Sequence, residues 1–322
     1  MYRIGIDLGG TNIAVGLVDE NYKIVVKKTT PTLAKRESEA IVADMARLCR
    51  EVCEEKNVSI SEIANIGVAA PGIANHRNGC VEYSCNLPFR RFPLVKALAD
   101  ELGVEESRVK IANDANAAAW GEAVAGAAKG TSNSIMVTLG TGVGGGIVMN
   151  GKIYTGYNNM GGEIGHMTLS YNGRPCTCGR KGCFEAYCSA TALIAMTSEK
   201  IEECAATGRT TIMTEMVAQK GKVSGRTAFN AMRQGDEAAR EVVDAYISYL
   251  AAGITSLINI FQPRVLCIGG GVCGEGEALL APLRGIVDRE QYGTNAHDDK
   301  TELKIAELGN DAGIIGAALI GL

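Results

Sequence analysis

Apolar residues in the first part of the chain come in short runs that glycine and polar turns interrupt. Three of these runs predict strands, at residues 2–8, 13–18 and 23–29. The segments GGTN and DEN that separate the runs suit hairpin turns. Over residues 35–56 the spacing changes to that of a helix, with Ile41, Met45, Leu48 and Val52 on one face. The beginning of the chain therefore predicts antiparallel strands that are covered by a helix.

Strand and helix patterns alternate through the rest of the chain. Further strands are predicted at residues 63–69, 109–112, 134–139, 146–149, 264–268 and 303–306. Further helices are predicted at about residues 94–102, from 115, across much of 184–261, at 277–289 and from 311. This alternation predicts a fold of the α/β class.

The two halves of the chain repeat one plan. Residues 7–11, DLGGT, align with residues 138–142, TLGTG, and residues 66–72 align with 265–271. Two β-β-β-α-β-α-β-α halves are expected to face each other across a cleft, with one glycine hairpin from each half at its floor. The expected domains are residues 1–113 with a closing helix at about 311–322, and residues 114–310.

Charge and apolar content narrow the expected location and partners. The chain has 32 Lys and Arg against 36 Asp and Glu, a net charge of −4, so a nucleic-acid partner is not expected. The sequence opens on a strand pattern, without the pattern of a secretory signal. Residues 245–263 carry no charge, but their helical spacing favours a buried core helix over a membrane span. These features predict a cytoplasmic protein with reduced cysteines and no membrane partner.

Glycine makes up 40 of the 322 residues, about 12%, against a usual level of roughly 7%. The hairpins at residues 9–12 and 140–144 expose consecutive backbone N–H groups without blocking side chains, as a phosphate site requires. Asp7 beside the first hairpin would repel phosphate unless Mg²⁺ intervened. For either hairpin alone an ordinary tight turn is the favoured interpretation, but two hairpins at matching positions of a duplicated fold favour nucleotide phosphates. Gly269, Gly270 and Gly271 suit an adenine or ribose surface, or close packing of a helix on a strand.

Three cysteines and a histidine have the spacing of a metal site. Cys176, Cys178 and Cys183 lie in a glycine-containing loop, and His166 precedes them. Three thiolates and one imidazole complete a tetrahedral Zn²⁺ shell without an open position, which is typical of a structural site. The alternative is a reduced loop in which the cysteines have no shared role.

Several polar residues occupy positions where chemistry could take place. Asn113 and Asp114 follow a predicted strand and open a helix, where a helix cap and a catalytic base are both consistent with the sequence. Glu163 lies among glycines, which makes it a poor surface charge, and Glu185 follows the cysteine loop. Asn86 begins a turn and could be only a turn former.

Six motifs together resemble the ROK family of bacterial sugar kinases, and within it the glucokinases. They are IDLGGTN at 6–12, AAPG at 69–72, NDANAAAWGE at 113–122, LGTGVGGG at 139–146, GGEIGHM at 161–167 and CTCGRKGCFEAYCSATAL at 176–193. The resemblance implies the actin-like ATPase (ribonuclease H-like) fold with ATP between two domains. Many relatives have Lys at the position of Asn12, which leaves the role of Asn12 open.

The resemblance also implies roles for individual residues. Asp114 is the implied catalytic base. Hexose contacts are implied for Asn86, Asn113, Asp114, Glu163, His166 and Glu185. Nucleotide contacts are expected for Asp7, Gly9, Gly10, Thr11, Asn12, Thr141, Gly142, Gly269, Gly270 and Gly271, with Mg²⁺ accompanying ATP. Zinc ligands are implied at His166, Cys176, Cys178 and Cys183, so His166 would connect the metal site to the sugar site.

The expected reaction is the ATP-dependent phosphorylation of D-glucose to glucose 6-phosphate, the first step of glycolysis. N-acetylmannosamine, N-acetylglucosamine, fructose, mannose and allose remain alternative substrates, because one hydroxyl changes specificity by only a few kcal/mol. A sugar-sensing repressor is a further alternative, but such relatives carry a helix-turn-helix ahead of the sugar domain, where this chain starts with a strand. The family also implies a homo-oligomer, either a dimer or a tetramer.

Overall fold

The structure is a computed structural model that describes residues 1–293, 296 and 298–321. Residue 322, the end of the expected closing segment, lies outside the described residues. The strands are β1 (Arg3–Leu8), β2 (Asn12–Val18), β3 (Ile24–Pro31), β4 (Ile66–Ala70), β5 (Ile73–Asn75), β6 (Cys80–Tyr83), β7 (Arg90–Phe92), β8 (Val109–Asn113), β9 (Ser134–Leu139), β10 (Val143–Met149), β11 (Lys152–Ile153), β12 (Val265–Gly269) and β13 (Glu302–Ile305). The α-helices are α1 (Ser38–Glu55), α2 (Leu94–Leu102), α3 (Asp114–Ala125), α4 (Glu185–Cys188), α5 (Ala190–Thr207), α6 (Ile212–Lys220), α7 (Thr227–Met232), α8 (Glu237–Phe261), α9 (Glu277–Glu290) and α10 (Ala312–Ala318).

Two five-stranded sheets in the described part of the chain have the same topology. Their strand orders are β3-β2-β1-β4-β8 and β11-β10-β9-β12-β13, so the repeat inferred from the glycine hairpins is confirmed. In the first sheet β1 is antiparallel to β2 and parallel to β4, which is parallel to β8. In the second sheet β12 and β13 are parallel. The chain has the expected duplicated α/β fold.

A small three-stranded sheet was not predicted. Strands β5, β6 and β7 form it in that order, between β4 and α2. β5 and β7 have three residues each and β6 has four, too few for a period to stand out. The sequence had indicated only a turn at Asn86, and this residue lies in the connection between β6 and β7.

The chain folds into two compact units. The first comprises Met1–Met136, Gly146–Gly162 and Ala306–Leu322, and the second comprises Val137–Gly145 and Glu163–Ile305. The expected division at residue 113 differs, because it would separate α3 from α10, and these helices pack together in the first unit.

Each unit has its own apolar interior. In the first unit Ile4 and Ile6 of β1 and Ile41 and Met45 of α1 are completely buried. In the second unit the largest buried side chains are Phe184, Phe229 and Tyr246. The alternation of apolar residues along β1 and the helical spacing along α1 produce these buried faces.

Helix α8 is long and apolar enough to cross a membrane by length and composition alone. Its buried residues include Val242, Tyr246, Leu250 and Ile254, at helical spacing. Core helices of water-soluble proteins pass the same test. The burial of this face agrees with the expectation of a core helix.

Helix α10 approaches the first sheet and α3 so closely that glycine is required at the contacts. A Cβ atom at Gly67 would lie 1.7 Å from the carbonyl oxygen of Ala317, and one at Gly5 would lie 1.8 Å from that of Ile314. A Cβ at Gly316 would lie 1.7 Å from the carbonyl oxygen of Ala117 in α3. Several of the excess glycines therefore serve packing, in addition to those in the glycine hairpins.

The Gly67→Ala substitution is expected to destabilise the protein. Backbone of α10 would have to move away from β4, so we expect the free energy of unfolding to fall by at least about 2–3 kcal/mol, the upper range for overpacking. Gly225→Ala is the matched control, because a Cβ at Gly225 meets nothing within 4 Å. Urea unfolding of both variants measures the difference. Equal stability of the two variants would contradict the packing argument.

Candidate functional site

The first sheet brings Asp7, Asn113 and Asp114 to one end. Asp7 pairs with Ala69 across β1 and β4, and Asn113 pairs with Ala70 across β4 and β8. Because these strands are parallel, their carboxyl ends lie at the same edge of the sheet. Asp114 is the first residue of α3, directly after β8. The structure thus places together three of the residues that the sequence singled out.

Asn113 is a helix cap, one of the two roles that its position in the sequence allowed. Its Oδ1 accepts a hydrogen bond from the backbone N–H of Asn116 at 3.1 Å, and its Nδ2 donates to the carbonyl oxygen of Gly72 at 3.1 Å. The second bond ties α3 to the AAPG turn after β4. The Asp114 carboxylate itself accepts a hydrogen bond from the backbone N–H of Ala115 at 2.8 Å, also at the beginning of α3.

Both carboxyl groups at this edge have raised pKa values. Burial, followed by the nearby charge of Asp114, raises the pKa of Asp7 to about 6, while Lys27 opposes the shift. Burial also raises the pKa of Asp114, although hydrogen bonds from backbone N–H groups and from Asn113 oppose the increase. A raised pKa favours proton acceptance near neutral pH, and a pair of nearby carboxylates attracts a cation.

The first glycine hairpin is closed by backbone and threonine contacts. Gly9 N–H donates to the carbonyl oxygen of Asn12 at 2.9 Å, and Thr32 Oγ1 donates to that of Gly9 at 2.7 Å. Gly10, Thr11 and Asn12 are solvent-exposed. A Cβ at Gly10 would lie 3.5 Å from Cβ of Asn86, so the structure brings the predicted turn residue against the hairpin.

The second hairpin is anchored to the helices that follow the cysteine loop. Val143 N–H donates to Glu185 Oε2 at 3.0 Å, and Thr191 Oγ1 donates to the carbonyl oxygen of Thr141 at 2.8 Å. A Cβ at Gly142 would lie 2.3 Å from Glu185 Oε2, so this glycine permits the contact. These contacts fix the conformation of the second hairpin.

The two alternatives for the glycines after β12 apply to different residues. Gly270 has φ 92°, and a Cβ there would lie 2.4 Å from the carbonyl oxygen of Leu139. Gly270 is therefore a packing glycine. Gly271 has no atom within 4 Å of a Cβ position, and Gly269 is the buried last residue of β12. Open backbone surface is available at Gly271.

Glu163 and His166 flank a short helical turn against the second hairpin. A Cβ at Gly165 would lie 2.0 Å from the carbonyl oxygen of Val143, so this glycine allows the turn to pack there. The backbone N–H of His166 donates to the carbonyl oxygen of Glu163 at 3.0 Å. The Glu163 side chain is exposed, whereas its glycine neighbours had indicated a poor surface charge.

His166, Cys176, Cys178 and Cys183 converge as the sequence predicted. One ligand atom from each lies within 4.8 Å of the others. Cys178 Sγ and Cys183 Sγ are 3.7 Å apart, and Cys176 Sγ lies 3.8 Å from His166 Nδ1. A tetrahedral ion with Zn–S bonds of about 2.3 Å separates its sulfur atoms by about 3.8 Å, so this donor set fits Zn²⁺.

Three residues that contribute to the site were not predicted. Thr32 closes the first hairpin. Thr177 Oγ1 donates to Glu185 Oε1 at 3.0 Å from within the cysteine loop. A Cβ at Gly313 would lie 2.9 Å from Asp7 Oδ2, so Gly313 leaves room for the carboxylate. The spacing of Gly313 and Gly316 one turn apart was a usable sign of a close helix contact, whereas the threonine contacts are not visible in sequence.

Comparison with known proteins agrees with the fold. The ROK family model matches residues 3–321. The glucokinase of Thermotoga maritima is 36% identical over 319 residues, which cover 98% of this chain and 96% of that protein. The structure of a ROK family glucokinase from Streptomyces griseus in complex with glucose and AMPPNP is 31% identical, with a TM-score of 0.77 and coverage of 99% and 98% of the two chains.

A regulator is also among the relatives. The xylose repressor of Bacillus subtilis is 27% identical over 325 residues, and the matched region covers 99% of this chain but 76% of the repressor. The kinases, by contrast, match along nearly their whole length. The match of the family model across residues 3–321, together with the sequence identity to full-length glucokinases, shows that this chain belongs to the ROK family.

Proposed function

We propose that the protein transfers the γ-phosphoryl group of ATP to the 6-hydroxyl of a hexose, with D-glucose as the preferred substrate. The observation that carries the proposal is the position of Asp114. Asp114 is the first residue of α3 and lies at the edge of the first sheet that also carries Asp7 and the first glycine hairpin. The pKa of its carboxyl group is raised. Whole-chain similarity to glucokinases supports the choice of glucose.

In the proposed mechanism Asp114 acts as the general base. Its carboxylate accepts the proton of the 6-hydroxyl while that oxygen bonds to the γ-phosphorus, and the bond from phosphorus to the β–γ bridging oxygen breaks. ADP leaves with the electron pair of that bond. Such a base contributes roughly 10²–10⁴-fold to the rate, and the remainder comes from positioning and from neutralising phosphate charge.

The nucleotide contacts are proposed from backbone availability. Exposed Gly10, Thr11 and Asn12 present the first hairpin to phosphates, and Thr141 and Gly142 do so in the second. Gly271 offers open backbone to the nucleoside. Gly9 and Gly270 support these turns, and Gly269 precedes them as the buried last residue of β12. Mg²⁺ bound with ATP would neutralise phosphate charge, and Asp7 is the carboxylate that fits it.

Hexose contacts are proposed for Asn86, Asn113, Glu163, His166 and Glu185. Asn86 and Glu163 are exposed and free to turn toward a ligand. Glu185 differs, because Val143 and Thr177 already hold its two oxygens. Glu185 therefore also fixes the second hairpin, and any bond to sugar uses the remaining lone pairs of a carboxylate that is already oriented.

We further propose that His166, Cys176, Cys178 and Cys183 hold a structural zinc ion. The interatomic distances fit, and all four positions of the tetrahedron are filled by protein. His166 faces Cys176 through Nδ1, which leaves Nε2 for a sugar hydroxyl. Zinc would close a loop that has little apolar surface of its own.

Other members of the family suggest the alternatives. Another hexose or N-acetylhexosamine, among N-acetylmannosamine, N-acetylglucosamine, fructose, mannose and allose, is the second candidate substrate. Sugar sensing without turnover is less favoured, because Asp114 has the environment of a base. A cytoplasmic, homo-oligomeric enzyme with no nucleic-acid or membrane partner remains our proposal.

Purified protein should release ADP from ATP in a glucose-dependent reaction. We expect kcat/KM for glucose to exceed that for each alternative sugar by at least about tenfold.

The Asp114→Asn variant should lose roughly 10²–10⁴-fold in kcat while it still binds glucose in calorimetry. Asp244→Asn, an exposed carboxylate on α8, is the matched control and should retain full activity. Near-normal turnover by Asp114→Asn would contradict the assignment of the base.

Unchelated protein should contain about one zinc ion per chain by elemental analysis. Cys178→Ser should lower this content at least tenfold and lower the melting temperature, because zinc closure contributes on the order of 10 kcal/mol to local folding. Cys80→Ser, outside the cluster, should keep its zinc. Less than about half an equivalent in the wild-type protein would overturn the zinc site.

Asp7 should make stability depend on pH. Its folded pKa of about 6 exceeds the unfolded value of about 3.9, so the stability present below about pH 4 is lost as pH rises through about 6. Asp7→Asn should therefore be about 2–3 kcal/mol more stable than wild type above pH 7, with the difference disappearing toward pH 4.

Urea unfolding without nucleotide or Mg²⁺, at a series of pH values, measures this difference. Asp100→Asn on the exposed surface of α2 provides the control. If the difference in free energy of unfolding between Asp7→Asn and wild type does not change with pH, burial does not raise the pKa of the Asp7 carboxyl group.

A further inference from the structure

Thr32 connects the first glycine hairpin to the chain that follows β3. The Thr32 side chain is completely buried. Its Oγ1 donates to the carbonyl oxygen of Gly9 at 2.7 Å, and its backbone N–H donates to that of Thr11 at 2.8 Å. Thr32 therefore bonds to the hairpin on both sides of Gly10, which is exposed.

The backbone bond from Thr32 extends the pairing of β2 with β3 by one residue. That pairing ends with Asn12 opposite Pro31, and proline has no N–H to donate. The next donor along the chain is the N–H of Thr32. Because glycine loses more backbone entropy on ordering than other residues, a hairpin with two glycines depends on such bonds for a fixed conformation.

Arg36 in turn fixes Thr32. Its Nε donates to the carbonyl oxygen of Thr32 at 3.0 Å, and its guanidinium also bonds to Asp44 Oδ2 in α1. The side chains of Arg36 and Asp44 are only 27% and 21% exposed, so water and salt screen this ion pair in part. A guanidinium that is already held by a carboxylate makes a strong and directional bond, which orients the Thr32 peptide group.

The backbone between Thr32 and Arg36 turns sharply to permit this contact. Leu33 has φ 50°, in the left-handed region that residues other than glycine rarely adopt. The N–H of Arg36 donates to the carbonyl oxygen of Leu33 at 3.2 Å. Such a conformation persists where surrounding contacts hold it, and the bond from Arg36 to Thr32 is one of these contacts.

We propose that Arg36 is a positioning residue for the nucleotide. From its anchor on Asp44 it holds the Thr32 peptide group, and Thr32 holds the backbone on both sides of Gly10 in the conformation that meets the phosphates. Arg36 acts through Thr32 and contacts no substrate in this proposal. The inference rests on the proposed function, because it takes the first hairpin as a phosphate site.

Amide hydrogen exchange of the ligand-free protein measures the order of the hairpin without a nucleotide. Arg36→Met keeps an unbranched apolar side chain but removes the guanidinium. The amides of Gly9 and Thr32 should then exchange about tenfold faster, which is the loss expected for one hydrogen bond to a charged group.

Arg47→Met is the matched control. Arg47 also bonds to Asp44, but its second partner is Glu51 in α1 and not Thr32. The exchange rates of the Gly9 and Thr32 amides should therefore stay at the wild-type level in this variant.

Calorimetry with AMPPNP and Mg²⁺, and separately with glucose, measures the consequence for binding. Arg36→Met should weaken AMPPNP binding about tenfold, whereas glucose binding should change by less than about twofold. A merely structural defect would lower both affinities. Thr32→Val should produce the same difference between the two ligands, and Thr32→Ser, which keeps the hydroxyl donor, should restore AMPPNP affinity.

Three results would overturn the inference. The first is wild-type exchange of the Gly9 and Thr32 amides in Arg36→Met. The second is faster exchange without weaker AMPPNP binding, and the third is an equal loss of affinity for AMPPNP and glucose. Absence of AMPPNP binding by the wild-type protein would contradict the proposed function and this inference with it, whereas failure of the inference alone leaves wild-type binding intact.

Discussion

The close approach of α10 to the first sheet and to α3 is the constraint on which the geometry of the first unit depends. Gly5 and Gly67 admit backbone of α10 against β1 and β4, and Gly316 admits backbone of α3 against α10. Gly313 then lets the beginning of α10 reach the Asp7 carboxylate. The same packing that excludes side chains therefore fixes β1, whose next-to-last residue is Asp7, relative to α3, which begins at Asp114. Backbone contacts of this kind leave little freedom for the spacing of the two carboxylates.

That spacing has an electrostatic cost and a chemical use. Burial raises the pKa of both Asp7 and Asp114, and the charge of Asp114 adds to the shift at Asp7. Water solvates neither group fully, and Lys27 offsets only part of the repulsion. A phosphoryl-transfer site gains from this arrangement, because one carboxylate can accept a proton and the other can attract a divalent cation. The unfavourable electrostatics of the ligand-free protein thus favour the binding of a divalent cation at this edge.

The sequence predicted most of the fold because its repeat and its glycine hairpins recur at matching positions. The alignment of residues 7–11 with 138–142 gave the duplicated sheets, and the spacing of His166 with three cysteines gave the metal cluster. The strands β5–β7 were missed because they are too short to show a period. Thr32 and Thr177 were missed because their contacts join segments far apart in sequence or on opposite sides of a loop. Glycine was informative only in part, since its packing role at Gly67 and its loop role at Gly10 look alike in sequence.

In the second unit the main constraint is different: contacts from neighbouring residues fix the conformation of a glycine-rich hairpin. Glycine loses more backbone entropy on ordering than any other residue, so such a hairpin needs external support. Glu185 supplies it by accepting from Val143 N–H, and Thr177 orients Glu185 from within the cysteine loop. The cysteine side chains of that loop, those of Cys176, Cys178 and Cys183, lie close to one another and to the side chain of His166. A metal ion at this point would stabilise the hairpin through three successive contacts without touching the hairpin itself, and the nucleotide contacts that we propose for the hairpin would depend on that support.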